Sequence, residues 1–138
     1  MRTWSNAFLV AFYFGVAVVL GSAAAHAQGI VPSIALKSGE SSELTDVYWV
    51  SNCKSMLKGT PEVEILDGPK EVVTVAVKEA MVLPRLQNCA ARVAGGKVVI
   101  TAKEIDEPSY TRLTIRITLK GRDGNRQISQ VLNLSLIP

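Results

Sequence analysis

Two cysteines are the residues of this sequence whose chemistry depends most on their surroundings. Cys53 and Cys89 are the only cysteines in the 138-residue chain, and they lie 36 positions apart. Two thiols in an oxidising compartment usually pair, whereas catalytic dithiols usually sit two residues apart with a lowered thiol pKa. A tetrahedral zinc site would need further nitrogen or sulfur ligands. The pair therefore predicts one intramolecular disulfide, no metal site and no cofactor.

Side chains that could act as catalytic acids, bases or nucleophiles form no convincing set. His26 is the only histidine, and Ser-His-Asp or Cys-His catalysis requires an imidazole. Glu62 and Glu64 share one face of a predicted strand, and Asp106 and Glu107 lie in a predicted turn. Carboxylates that cleave glycosides flank a sugar cleft, which is usually lined with aromatic rings, and only three aromatic residues follow residue 27. We expect no enzymatic activity, with a small hydrolase or a redox accessory enzyme as the less favoured alternative.

One charge pattern is asymmetric. Residues 51–61 and 80–103 contain lysines and arginines but no acidic residue. A bond between Cys53 and Cys89 would bring these two segments together and create a locally cationic surface, which favours an anionic partner. The candidate contacts for such a partner are Lys54, Lys58, Arg85 and Arg92.

The same two segments contain flexible apolar side chains. Met56, Leu57 and Met81 are candidates for apolar contact with the partner, because thioether side chains adapt to varied surfaces. The alternative interpretation is that the charges are solvated loop residues and that the apolar residues belong to the core.

The first 27 residues have the layout of a cleavable secretory signal. Arg2 supplies a positive start, residues 7–20 form an uncharged apolar run, and Ala25 and Ala27 are small residues at the two positions that a signal peptidase reads. The alternative is an uncleaved anchor, but the apolar run is short for a membrane span. No cysteine lies directly after the run, at residues 20–23, which argues against a lipid anchor. We expect a mature chain from Gln28 in the periplasm or outside the cell, with no stable membrane anchor.

The mature chain would be one domain of nearly balanced charge. Residues 28–138 are enough for a single core. Without Arg2, the 15 basic residues of the chain become 14, against 12 acidic residues. Such a balance predicts no general attraction to nucleic acid or to an anionic membrane. The expected partner is an envelope protein or an anionic ligand.

Short strand signals recur along the mature chain. The clearest is the alternation of apolar and polar residues over 113–120, followed by turn residues at 121–125 and an apolar return strand to Leu136. Residues 46–51 are apolar on both faces, which predicts a central strand. Glu79–Leu83 could begin a helical turn that Pro84 would end, and Gly95–Gly96 predicts a break before the next strand.

About seven such strands predict an all-β domain. An antiparallel β-sandwich of the immunoglobulin-like class is the first expectation, and a small barrel is the second. In antibody domains a tryptophan lies between the two cysteines in sequence, but Trp49 precedes Cys53. Each cysteine also follows an asparagine, which is typical of turns. We therefore expect the disulfide to join two loops at one end of the sandwich.

Four segments resemble a group of known sequences. These are Asn52–Ser55, Thr60–Glu64, Gln87–Cys89 and Asn133–Pro138. Together they resemble small exported proteins of Gram-negative bacteria without assigned function. The resemblance implies a periplasmic or secreted location and no catalytic residues, while the similarity to immunoglobulin-like sandwiches concerns the fold alone. The sequence thus predicts a non-enzymatic binding protein, with a structural or self-associating envelope component as the alternative.

Overall fold

The computed structural model describes residues 31–138, which form one compact unit. The predicted signal at 1–27 lies outside the described residues. The described part is all-β, with nine strands and one 3-10 helical turn at Arg85–Gln87. The strands are β1 (Ser33–Lys37), β2 (Ser41–Val47), β3 (Val50–Ser51), β4 (Lys54–Ser55), β5 (Glu62–Asp67), β6 (Val73–Val82), β7 (Val93–Ala102), β8 (Ser109–Gly121) and β9 (Gly124–Ile137).

The strands form three sheets. One sheet has the order β1-β9-β8-β5, the second has the order β2-β7-β6, and β3 and β4 form a hairpin of their own. All neighbouring strands are antiparallel except β1 and β9, which run parallel. The prediction of about seven strands was too low, because two-residue strands pair inside the connection between β2 and β5.

The two larger sheets share one apolar core. On β8 the side chains of Leu113, Ile115, Ile117 and Leu119 are buried, and the residues between them are partly exposed. They pack in one cluster with residues of β9 and with Val98 and other residues of β7. Successive side chains of a strand point to opposite faces, so the alternation predicted for β8 matches the burial that the structure shows.

The central strand of the three-stranded sheet is β7, and not residues 46–51 as the sequence suggested. Val98, Val99 and Ile100 are all buried, as expected of a strand with a neighbour on each side. β2 is an edge strand that ends at Val47. The apolar residues after Val47 are partly buried: the Trp49 ring lies against Gly121 at the end of β8, and Tyr48 lies beside Gly95 of β7.

One predicted interruption is also wrong, because β7 runs through Gly95 and Gly96. The helical turn that residues 79–83 could have begun does not form, and β6 continues to Val82. A β-carbon at Gly95 would collide with the carbonyl oxygen of Val47, and one at Gly96 would collide with the side chain of Val77. The two glycines are therefore required by close packing within the sheet rather than by a turn.

Candidate functional site: the basic end

The predicted disulfide is confirmed, and it joins two loops. Cys53 lies in the turn of the β3–β4 hairpin, Cys89 lies in the loop between β6 and β7, and their α-carbons are 5.5 Å apart. Asn52, Cys53 and Asn88 have positive φ angles of 51°, 59° and 54°. Asparagine tolerates this left-handed region better than most residues, which explains why an asparagine precedes each cysteine.

Three connections of the chain meet at the same end of the unit. Val47 at the end of β2 pairs with Gly96, and Val82 at the end of β6 pairs with Val93. The connection from β2 to β5 also reaches the β8–β9 turn, where Leu57 forms a bridge with Gly121. We call the surface formed by residues 52–58, 84–92 and 121–126 the basic end.

Trp49 fixes the β8–β9 turn to this surface. Its ring lies against Gly121 so closely that a β-carbon there would overlap the ring atoms. The guanidinium carbon of Arg126 lies 4.6 Å from the ring centroid, within the range of a cation–π interaction. Trp49 therefore packs on the β8–β9 hairpin.

The basic end contains six cations and one acidic residue, Asp123. Each of the six is exposed, and within residues 31–138 none of them takes part in an ion pair. Like charges that lack partners create a positive potential that attracts anions. The six cations are Lys54, Lys58, Arg85, Arg92, Arg122 and Arg126.

The structure thus brings together all four predicted cations and adds two that sequence reasoning missed. Arg122 and Arg126 lie about 20 residues beyond the end of the second acid-free segment, and Asp123 lies between them. Only the bridge between Leu57 and Gly121 and the packing of Trp49 bring them to this end. The turn predicted at 121–125 was the one sequence signal that placed Arg122 in a loop, and it did not extend to Arg126, which lies on β9.

The loop between β6 and β7 has a buried base and an exposed tip. Val82, Pro84 and Cys89 are buried. The 3-10 turn between them is closed by hydrogen bonds from the Gln87 and Cys89 amides to the Pro84 carbonyl oxygen. At the tip, Leu86 is 88% exposed, and it is the most exposed of the large apolar side chains in residues 31–138.

A shallow groove of about 460 Å³ lies beside the basic end. Leu57, Lys58 and Met81 line it together with Glu79, which accepts a hydrogen bond from the Thr60 hydroxyl. Two of the three predicted apolar contacts therefore meet here, and Met81 is 56% exposed. The third, Met56, is half-buried and donates its amide hydrogen to the Trp49 carbonyl oxygen at 2.7 Å.

The first pair of carboxylates considered in the sequence, Glu62 and Glu64, is engaged elsewhere. Glu64 on β5 is in an ion pair with Arg116 on β8, and Glu62 is in an ion pair with Lys120 at 2.5 Å. These side chains lie on the solvent face of the sheet. Within residues 31–138 there is no group of three or more histidine, cysteine, aspartate or glutamate residues that could hold a metal ion.

The opposite end of the unit has the opposite charge. Residues 38–40, 67–72 and 103–108 meet there, as shown by hydrogen bonds from the Ile105 amide to the Ser38 hydroxyl at 2.8 Å and from the Lys103 amide to the Val72 carbonyl oxygen at 2.7 Å. We call this surface the acidic end. Its only cations are Lys70 and Lys103, and its six acidic residues are Glu40, Asp67, Glu71, Glu104, Asp106 and Glu107.

Comparison of the chain with family models, with curated proteins and with solved structures found no match in any of the three. The disulfide indicates that the protein folds in an oxidising compartment outside the cytoplasm. Residues 31–138 include no helix with the length and hydropathy of a bilayer span.

Proposed function

We propose that this is a non-enzymatic binding protein that recognises an anionic partner through its basic end. The observation that supports this most strongly is the gathering of six cations without ion-pair partners at one end of the described unit. The chain as a whole has only three more basic than acidic residues. The cations are therefore concentrated rather than abundant, which suits local recognition of a partner.

The proposed fold is an immunoglobulin-like sandwich, and the strand order supports it. In that class the second, fifth and fourth strands are neighbours in one sheet, and the third, sixth and seventh are neighbours in the other. When the separate β3–β4 hairpin is left out of the count, the second, fifth and fourth strands here are β2, β7 and β6, which are neighbours in one sheet. The third, sixth and seventh are β5, β8 and β9, which are neighbours in the other. With this assignment the basic end corresponds to the end at which antibody variable domains place their binding loops.

The proposed location is the periplasm or the exterior of the cell. The signal-like segment 1–27 and the disulfide both support export. The absence of histidine from residues 27–138 supports a role in binding rather than in acid–base catalysis.

The experiment is a matched pair of charge-reversal variants of the mature chain, each with four cations changed to glutamate, so that both have the same net charge. The basic-end variant is Lys54→Glu, Lys58→Glu, Arg85→Glu and Arg92→Glu. The control variant, with changes outside the basic end, is Lys37→Glu, Lys70→Glu, Lys103→Glu and Arg112→Glu. Retention on a phosphate-bearing resin is measured as the salt concentration that elutes each protein.

The basic-end variant should elute at much lower salt than the control variant, because local charge and not total charge determines the interaction. The same pair is then compared for capture of anionic molecules from an envelope extract. Equal elution and equal capture for the two variants would remove the proposal.

A second candidate function is self-association, and the opposed charges of the two ends favour it. The basic end of one copy complements the acidic end of the next, which is a head-to-tail contact. Sedimentation velocity at low and high salt distinguishes the candidates. A size above the monomer that falls as salt rises would support self-association, and a monomer at all salt concentrations would exclude it.

A further inference from the structure

We propose that the anionic partner of the basic end is a lipid surface, on which the protein docks peripherally with Leu86 inserted at the level of the headgroups. This inference rests on the proposed function, since it names the partner of the same surface. The near-neutral total charge predicts no such attraction. The one-sided placement of the cations is what changes that expectation.

The loop between β6 and β7 presents an exposed apolar side chain on a braced base. Leu86 is 88% exposed, yet the loop that presents it is held by the disulfide and by buried Val82 and Pro84. A single exposed leucine on a protein surface is ordinary. This one, however, lies at the tip of a braced loop and directly follows the exposed cation Arg85. The interface of a bilayer accepts an exposed apolar side chain without a matching pocket.

The loop that carries Leu86 and the hairpin bonded to it also carry arginine and lysine side chains, which can bind lipid phosphates. Arg85 and Arg92 lie on the loop that contains Cys89, and Lys54 directly follows Cys53, so the disulfide holds their segments together. Lysine and arginine side chains extend along a surface while their charged groups stay in water, so they can reach lipid phosphates beside an inserted leucine. Each such cation near an anionic lipid surface increases the affinity of a protein for that surface by about fivefold.

The opposite charges of the two ends orient the protein on a negatively charged surface. The acidic end lies at the opposite side of the unit, with six acidic residues and two lysines. A negatively charged surface repels that end and attracts the other, so the protein meets the surface with Leu86 foremost. An acidic protein partner would also satisfy the cations, but it would need a pocket that matches Leu86.

The test is co-sedimentation of residues 28–138, which contain the whole described compact unit and its disulfide, with lipid vesicles. Vesicles that contain phosphatidylglycerol are compared with vesicles of phosphatidylcholine alone. Binding to the anionic vesicles is expected, and it should weaken as salt rises. The basic-end variant defined above should lose about a hundredfold or more in affinity for the anionic vesicles, and the control variant should keep its affinity.

Leu86→Ser provides the second arm. It should lower vesicle affinity by about tenfold, because the leucine no longer enters the apolar interface. It should leave retention on the phosphate-bearing resin unchanged. The matched control is Tyr110→Ser, which removes another exposed apolar side chain (70% exposed) near the start of β8 and should leave both measurements unchanged.

The outcomes separate the two proposals. Retention on the resin without binding to anionic vesicles would overturn the lipid proposal and leave the proposed function intact, with a soluble acidic partner as its target. An equal effect of Leu86→Ser on resin and vesicles would also overturn the insertion of Leu86. If the unmodified protein neither is retained on the resin nor binds anionic vesicles, the proposed function itself is overturned.

Discussion

At the scale of single residues, Trp49 connects the core of the protein to its basic end. Its ring contacts Gly121 on one strand end and lies 4.6 Å from the Arg126 guanidinium. The interaction with the ring contributes roughly 0.5–1 kcal/mol at an exposed site. The more important effect is positional, because the ring sets where the β8–β9 turn and its two arginines lie relative to the other loops.

Gly121→Ala should therefore destabilise the protein. The added methyl group would overlap the Trp49 ring, and we expect a loss of about 1–3 kcal/mol in the free energy of unfolding. Gly59→Ala is the control, because no atom lies within 4 Å of the position its β-carbon would occupy. Urea unfolding followed by tryptophan fluorescence compares the two. Equal stability of the two variants would contradict the packing described for Trp49.

Lys97 gives the fold a dependence on alkaline pH. Its ammonium group lies 3.2 Å from Asp46 and 3.5 Å from Glu43. The hydrogen bond and charge of Asp46, followed by the charge of Glu43, raise the pKa of Lys97 above its ordinary value of 10.5. A raised pKa in the folded state means that the stabilisation is complete below 10.5 and is lost as the pH rises through the higher value.

Lys97→Met should remove this part of the alkaline decline in stability, while Lys70→Met, a change at an exposed loop lysine, should leave it in place. The free energy of unfolding in urea is measured at about pH 9 and about pH 11.5. An unchanged difference between the two pH values in Lys97→Met would contradict this account.

At the scale of elements, the basic end consists of loops and strand ends, and the disulfide and the short β3–β4 hairpin brace them. The connection between β2 and β5 is long, and the hairpin gives it internal backbone hydrogen bonds. The side-chain hydroxyl of Ser55 on β4 also donates to the Ala94 carbonyl oxygen on β7 at 3.1 Å. The loops that present Lys54, Lys58 and Arg85 are thus attached to the sheet at several points.

Removal of the disulfide should weaken both the fold and the binding surface. The double variant Cys53→Ser and Cys89→Ser should lower the free energy of unfolding by about 4 kcal/mol, because a bond that closes a loop of this length restricts the unfolded chain. Elution from the phosphate-bearing resin should move to lower salt under conditions where the variant is folded. The reduced wild-type protein serves as a second form without the bond, and stability equal to that of the oxidised protein would contradict the prediction.

At the scale of the whole molecule, the structure is electrically polarised. The basic end has six cations and one acidic residue, and the acidic end has six acidic residues and two lysines. The cations between the ends are partly neutralised by cross-strand ion pairs, such as that of Arg116 with Glu64. The total charge of the chain, +3, does not show this separation of positive and negative charge.

Local patterns in the sequence predicted the features that depend on local chemistry. The all-β class followed from alternation such as that of β8, and the disulfide followed from the presence of only two cysteines. The four predicted cations come together because this covalent bond joins their segments. Each of these inferences needed only neighbouring residues or one bond.

The features that were missed depend on contacts between distant parts of the chain. β7 is central because of its two neighbours, and Gly95 lies within it because the Val47 carbonyl oxygen approaches closely. Arg122 and Arg126 join the basic end because Trp49 packs on their hairpin. None of these pairings has a signal in the residues on either side of it.

The most direct measurement of the central claim is a map of where a soluble anion binds. Residues 28–138, labelled with nitrogen-15, are titrated with inorganic polyphosphate, and the shifts of the backbone amide signals are assigned along the chain. The account predicts that the largest shifts fall within 52–58, 84–92 and 121–126, and that they saturate together. Shifts spread evenly over the outer faces of the sheets, or centred on the acidic end, would contradict it.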